Sequence, residues 1–272
     1  MRDEDRGGLR AYRFDTMPAD HVDVLVSTRA GGVSVGRHAS LNLGLHVGDE
    51  DHLVMENRRR LFAAYRLPLK RSVWCSQVHK ATVAVVDEDT VRDGPRGAES
   101  LETALAGTDA VVTASPGIVL AVMLADCVPV ALYDPDRHVL GLAHAGWGGT
   151  VARIASATVR TMQETFGSDP TRLVAGIGPS ISRAHYEVGE DVAAQARAAY
   201  GDDAGHVVRP AESAGKSRFD LWRANALDLE RAGVRPDAIE ISGLSTIDRL
   251  DEFYSHRAEQ ATGRFATLAA LR

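Results

Sequence analysis

Between residues 110 and 143 the chain carries four short apolar runs, at 110–113, 118–124, 128–133 and 139–143, separated by turn residues. Runs that are apolar at every position, and too short for core helices, read as strands covered on both faces. Four in succession commit the chain to a central sheet that other layers must enclose. Residues 21–28 read as a further strand, with Val22, Val24 and Val26 on one face and the Ala30-Gly31-Gly32 turn behind it. Residues 49–65 read as a helix that Asp49 or Asp51 can cap, with Leu53, Asn57, Leu61 and Ala64 near helical spacing. Residues 73–86 are β-rich, and the polar stretch 87–106, with Gly94, Pro95 and Gly97, reads as an exposed excursion. Downstream, 149–166, 188–200 and 220–232 read as helices and 173–177 and 238–244 as strands. The expected fold is α/β (α+β mixed), a single domain over residues 1–272 with helices outside a mixed sheet. Residues 1–20 are expected to be a partly flexible N-terminal segment.

Composition removes several classes of function. A chain of 272 residues, 44% hydrophobic and 25% charged, can bury a full core without disulfides. The net charge is −6 and no basic run offers a phosphate-backbone footprint, so nucleic acid is not an expected partner. The longest apolar stretch, 117–133, is interrupted by Asp126 and too short to span a bilayer, and the first twenty residues lack the apolar segment of a signal peptide. Two cysteines, Cys75 and Cys127, make no disulfide scaffold. A cytoplasmic protein acting on a small molecule is expected, with the oligomeric state left open.

Chemistry concentrates at three places. Asp126-Cys127 interrupts an apolar run, where a carboxylate must be paired, hydrogen-bonded or functional. One reading makes Asp126 a turn cap and Cys127 a small hydrophobe. His144 ends a predicted strand and opens His144-Ala145-Gly146-Trp147-Gly148-Gly149-Thr150, a glycine-rich turn into a helix where backbone and ligand can approach closely. His79 lies in Ser76-Gln77-Val78-His79 within the β-rich segment. Two histidines and a cysteine form a three-ligand set with an open fourth position, the arrangement of catalytic rather than structural zinc. No local spacing proves it.

These residues carry a resemblance. Gln77-Val78-His79, Ala125-Asp126-Cys127-Val128-Pro129 and His144-Ala145-Gly146-Trp147 stand in the order and register of the YfiH-type family, once described as multicopper polyphenol oxidases and also as purine nucleoside phosphorylases. Thr28-Arg29-Ala30-Gly31-Gly32-Val33-Ser34, Ser40-Leu41-Asn42-Leu43-Gly44, Glu56-Asn57-Arg58, Gly176-Ile177-Gly178-Pro179-Ser180-Ile181, Phe253-Tyr254-Ser255-His256-Arg257 and Thr262-Gly263-Arg264 extend the match over most of the chain. The resemblance implies zinc on His79, Cys127 and His144, and a fold with sheets sandwiched between helices. It also implies phosphorolysis of adenosine, inosine and methylthioadenosine, and deamination of adenosine. Copper can compete for such a ligand set. A laccase is ranked low, because the chain has 10 histidines and none in a His-X-His pair.

Roles for other residues follow from that implied chemistry. A metal that lowers the pKa of water accounts for deamination, with Asp126 as a proton shuttle or as a ligand-orienting cap. Phosphorolysis needs a phosphate grip, which Arg29, Arg58, Arg257 and Arg264 could supply. Asn42 could bond ribose or base, or cap its own turn; Trp147 could stack on a base or pack in the core. The alternative enzyme is an amidase that edits peptidoglycan precursors, with Cys127 as nucleophile and His144 as base. A structural zinc site would require Cys75 as fourth ligand. Two departures from the family pattern stand out. Gly148 occupies the place of a usual arginine, and Leu244-Ser245-Thr246 lacks the cysteine often found there.

Overall fold

The computed structural model describes residues 1–94 and 96–272; Pro95, which the sequence places in the polar excursion, lies outside the described residues. The four apolar runs are strands Ala110–Thr113, Val119–Leu124, Val128–Asp134 and Val139–Ala145, buried at every position. They do not share one sheet. A six-stranded sheet runs Ile239–Ile241, Val174–Ile177, Val128–Asp134, Val139–Ala145, Ala110–Thr113, Val83–Val85. A seven-stranded sheet runs Arg2–Arg6, Leu9–Arg13, Val22–Ser27, Phe265–Leu271, Val119–Leu124, Ser72–Ser76, Leu105–Ala106. A small three-stranded sheet joins Glu187–Gly189, Lys216–Phe219 and Val208–Pro210.

The period-2 geometry of a strand explains why these runs are apolar throughout. Leu120, Val122 and Leu124 point into the core between the large sheets, against Val111, Leu140 and Leu142. Their neighbours Val119, Ala121 and Met123 face the other way, onto Leu61 and Phe62 of the helix Asp51–Ala64. On the far side, Val112, Val130 and Leu132 pack under helices Ile154–Phe166, Glu190–Tyr200 and Leu221–Arg231. The result is helix, sheet, sheet, helix: the sandwich implied by the resemblance, in one mixed α/β domain. No helix among the described residues is long and apolar enough to cross a membrane.

Several expectations need correction. Residues 1–20 are not a loose segment: Arg2–Arg6 and Leu9–Arg13 form a hairpin on the edge of the larger sheet. Leu9, Ala11, Tyr12, Phe14 and Met17 are buried, and the Met1 amino group pairs with Asp15 and Glu240. The helix expected over 149–166 is broken. Trp147–Val151 and Ile154–Phe166 are separate, with Arg153 at φ 65° between them, held to Asp228 by an ion pair of 2.8 Å. Asp49 does not cap the first helix; its carboxylate accepts from Ser34 and Asn42 instead.

Three connections pass from the seven-stranded to the six-stranded sheet. They are residues 77–82, 107–109 and 125–127. They hold His79, Asp109 and Cys127, and this places the site.

Candidate metal centre

His79, Cys127 and His144 come together although 48 and 17 positions separate them in the chain. Their candidate donor atoms all lie within 4.8 Å of one another, and no second group of three such donors occurs among the described residues. The Cys127 Sγ is 3.8 Å from His79 Nε2, and the two imidazoles meet edge to face with centroids 4.9 Å apart. His79 is exposed at the cleft while His144 is buried.

Asp109 fixes this arrangement. Its buried carboxylate accepts the backbone N–H groups of Val78, His79 and Lys80 at 3.2, 3.0 and 2.9 Å. It also lies 3.0 Å from His144 Nδ1. Three amides converging on one carboxylate hold His79 at φ 60°, a backbone state costly for a residue with a Cβ. The bond to His144 assigns the ring proton to Nδ1 and turns Nε2 toward the cluster, as metal-ligating histidines are held elsewhere. Burial opposes ionisation of Asp109, but the bonds from His144 and the two amides of Lys80 and His79 hold it below the ordinary carboxylate range.

The thiol and His144 polarise each other. Burial works against a Cys127 thiolate, yet the attraction of His144 and hydrogen bonds to both imidazoles bring its pKa down. Burial likewise opposes a charged His144, and the Cys127 thiolate with Asp109 outweighs it and pushes the pKa up. Glycines make room for the cluster. A Cβ at Gly146 would lie 2.6 Å from His79 Cδ2 and 3.0 Å from the Cys127 Sγ. At Gly148 it would lie 2.7 Å from the His79 carbonyl oxygen.

The cluster stands in a wall shared by two cavities. The first, about 350 Å³, is lined by Trp147, Ile181, Tyr186, Leu221, Asp126 and Arg257. The second, about 400 Å³, is lined by His46, Gln77, Met123, His144 and Arg264 among others. His79, Ala125, Cys127 and His256 border both.

The expected site residues divide. Arg257 and Arg264 flank the cluster, one in each cavity. Arg29, Asn42 and Arg58 do not line either one. Arg29 donates to the carbonyls of Ala39 and Leu250 and pairs with Glu259 at 3.0 Å. Asn42 takes the turn-capping role: its amide oxygen accepts the N–H groups of Gly44 and Arg264. Arg58 is buried over the Trp74 ring at 3.7 Å and donates four bonds to the carbonyls of Leu43, Gly97 and Ala98. All three hold loops through these bonds. Asp126, at φ 84°, has both oxygens engaged, by the Thr246 hydroxyl and the Arg257 N–H, each at 2.6 Å. Those bonds fit the orienting cap, and Asp126 also lines the first cavity. Cys75 is buried outside the cluster, and burial raises its thiol to about 12. Asp109, Tyr186 and the bordering position of His256 were not foreseen. Asp109 follows a polar excursion, where an aspartate carries no local signal of its role.

The donor set fits a metal. Tetrahedral zinc with two imidazoles and a thiolate needs donor separations of about 3.3–3.6 Å, so small side-chain rotations would bring these three onto one ion. The Asp109–His144 bond supplies the outer contact such sites require.

Comparison with known proteins decides the relationship. Residues 23–272 match the family model described as multi-copper polyphenol oxidoreductase laccase, the YfiH family. The chain belongs to this family. It is 38% identical over 249 residues to purine nucleoside phosphorylase YlmD of Bacillus subtilis, covering 90% of this chain and 87% of that protein. With a purine nucleoside phosphorylase of Deinococcus radiodurans the identity is 39% over 265 residues, covering 97% and 94%. The crystal structure of YlmD from Geobacillus stearothermophilus superimposes with a TM-score of 0.92 at 34% identity, covering 99% and 98%. That of YfiH from Bacillus licheniformis gives 0.88 at 34%, covering 92% and 93%. The two family descriptions disagree about chemistry. Among the described residues the candidate donor atoms make one three-donor group.

Proposed function

We propose that this family member is a zinc-dependent purine nucleoside phosphorylase that cleaves adenosine, inosine and methylthioadenosine and also deaminates adenosine. The observation that supports it best is the open His79–Cys127–His144 group in the wall between two cavities of different character. The relatives' shared name supplies the substrate class.

Bound there, the ion supplies Lewis acidity. The chain's own residues do the rest. Trp147 and Tyr186 offer aromatic faces to a purine in the first cavity. Arg264 gives the second cavity a fixed positive charge suited to phosphate, and Arg257 does the same across the wall. Asp126 holds the Arg257 backbone and the turn that presents Cys127. The two unpaired cysteines suit a reducing compartment, and we place the enzyme in the cytoplasm.

A second reading has one observation in its favour. Cys127 lies at the cleft, 3.8 Å from an imidazole nitrogen, as a nucleophile in an amidase would. Metal dependence separates the two. Protein of defined zinc content is incubated with adenosine, inosine and methylthioadenosine, with and without phosphate, and products are weighed by mass spectrometry. The expected result is free base and ribose 1-phosphate (or its methylthio analogue) only when phosphate and zinc are both present, and phosphate-independent inosine from adenosine. Activity surviving complete zinc removal decides for the thiol.

A further inference from the structure

We propose that His256 is the acid that protonates the departing purine, an assignment resting on the phosphorolysis reading above. His256 borders both cavities together with His79, Cys127 and Ala125, and it is not one of the clustered donors. A proton donor at that border reaches a nucleoside in one cavity while phosphate occupies the other.

The ring is prepared for the task. Its Nδ1 lies 2.6 Å from the main-chain oxygen of Gln260. A carbonyl only accepts, so Nδ1 carries the hydrogen and Nε2 is left to take up and release a proton. Gln260 presents that oxygen from φ 58°, in the left-handed region that a side chain disfavours. The residues on either side are tied down. Ser255 caps the short helix through Ala258 N–H, and the Arg257 N–H is held by Asp126. Asp126, Arg257 and Arg264, the charged side chains that line these cavities with His256, each have at least one protein partner. In the first cavity Asp126 binds Thr246 and Arg257, and the Arg257 guanidinium donates to the Glu187 carbonyl. In the second, Arg264 donates to the carbonyls of Thr262 and Gly263. His46 faces only the second cavity and Tyr186 only the first.

In the step, a phosphate oxygen bonds to C1′ as the C1′–N9 bond breaks, its electron pair passing to the purine. The proton on His256 Nε2 moves to purine N7, and the hydrogen phosphate that enters returns a proton to Nε2. A purine already methylated at N7 leaves as a neutral base and needs none.

The test compares wild type and His256→Ala on inosine and on N7-methylinosine, with zinc content and melting temperature measured alongside. We expect kcat on inosine to fall on the order of 10²–10⁴-fold, with kcat on the methylated nucleoside, zinc content and melting temperature little changed. Equal losses on both substrates, no loss on either, or loss of zinc each overturn the assignment. A wild type inactive on both nucleosides overturns the phosphorolysis reading itself.

Discussion

Asp109→Asn exchanges one carboxylate oxygen for an amide nitrogen without changing the shape of the side chain. Four donors converge there: Oδ1 serves His79 N–H and His144 Nδ1, and Oδ2 serves Val78 N–H and Lys80 N–H. An asparagine oxygen can occupy only one of those positions. With the oxygen on the Val78–Lys80 side, the amide NH₂ faces His144 and donates to Nδ1. The imidazole proton must then move to Nε2, the nitrogen meant for the metal, and the His79 amide loses its acceptor. In the other orientation two backbone amides face an NH₂ group. One buried unpaired donor costs about 1–3 kcal/mol, so the less harmful orientation is the one that spoils the ligand. Loss of such an outer contact weakens metal binding by about 10–100-fold. Competition against a chromophoric chelator measures this, with a thermal melt to separate it from unfolding. Zinc affinity within a factor of about two of wild type would refute this account of how His144 is oriented. The sign with pH follows from the depressed carboxyl. Its contribution is complete above the unfolded value of about 4 and is lost as pH falls through the lower folded value.

Other outcomes are equally open to measurement. His79→Ala, Cys127→Ser and His144→Ala should each lose most bound zinc by elemental analysis while keeping the wild-type circular dichroism; full occupancy in two of the three ends the triad. In metal-free protein, iodoacetamide should modify Cys127 at a rate that rises through about pH 6 and then levels, while buried Cys75 stays silent and zinc protects Cys127. Gly148→Ala should weaken zinc binding by pressing on the His79 carbonyl, and Gly148→Arg should do so at least as strongly before any gain in phosphate affinity; unchanged zinc affinity in both shows that the turn yields freely. Arg58→Met strands the carbonyls of Leu43, Gly97 and Ala98. At about 1–3 kcal/mol for each stranded carbonyl, a loss of about 3 kcal/mol or more, or roughly 5 °C in Tm, is expected in a calorimetric scan, with kcat little affected.

How far the sequence reaches can be judged from particular residues. The central strands were legible because burial on both faces leaves an unbroken apolar run, and the triad because its motifs recur in order. The strand Phe265–Leu271 was not legible. Its alanines and leucines suit a helix as well as a strand, and only pairing with Val22–Ser27 and Val119–Leu124 settles the matter. The N-terminal hairpin was hidden by charge, because its edge strand keeps Arg2, Asp3 and Asp5 in solvent. The arginines are ambiguous for a related reason. A guanidinium that grips phosphate and one that satisfies loop carbonyls look identical in sequence, and Arg29 and Arg58 both donate to loop carbonyls. Asp109 acts through bonds to residues 29–35 positions away, beyond the range of any local pattern.

The crossings between the two large sheets set an order of events. His79 and Cys127 sit on chain segments that leave one sheet and enter the other, and Asp109 sits on a third. Neither sheet alone contains the donor set. Before the sheets dock, a partly folded chain offers a passing ion scattered single ligands, with no carboxylate to orient them. Binding by all three donors at once therefore requires contacts remote in sequence to have closed. An ion held by all three donors would join two of the segments that cross between the sheets, and so tie the sheets together along the line where they meet.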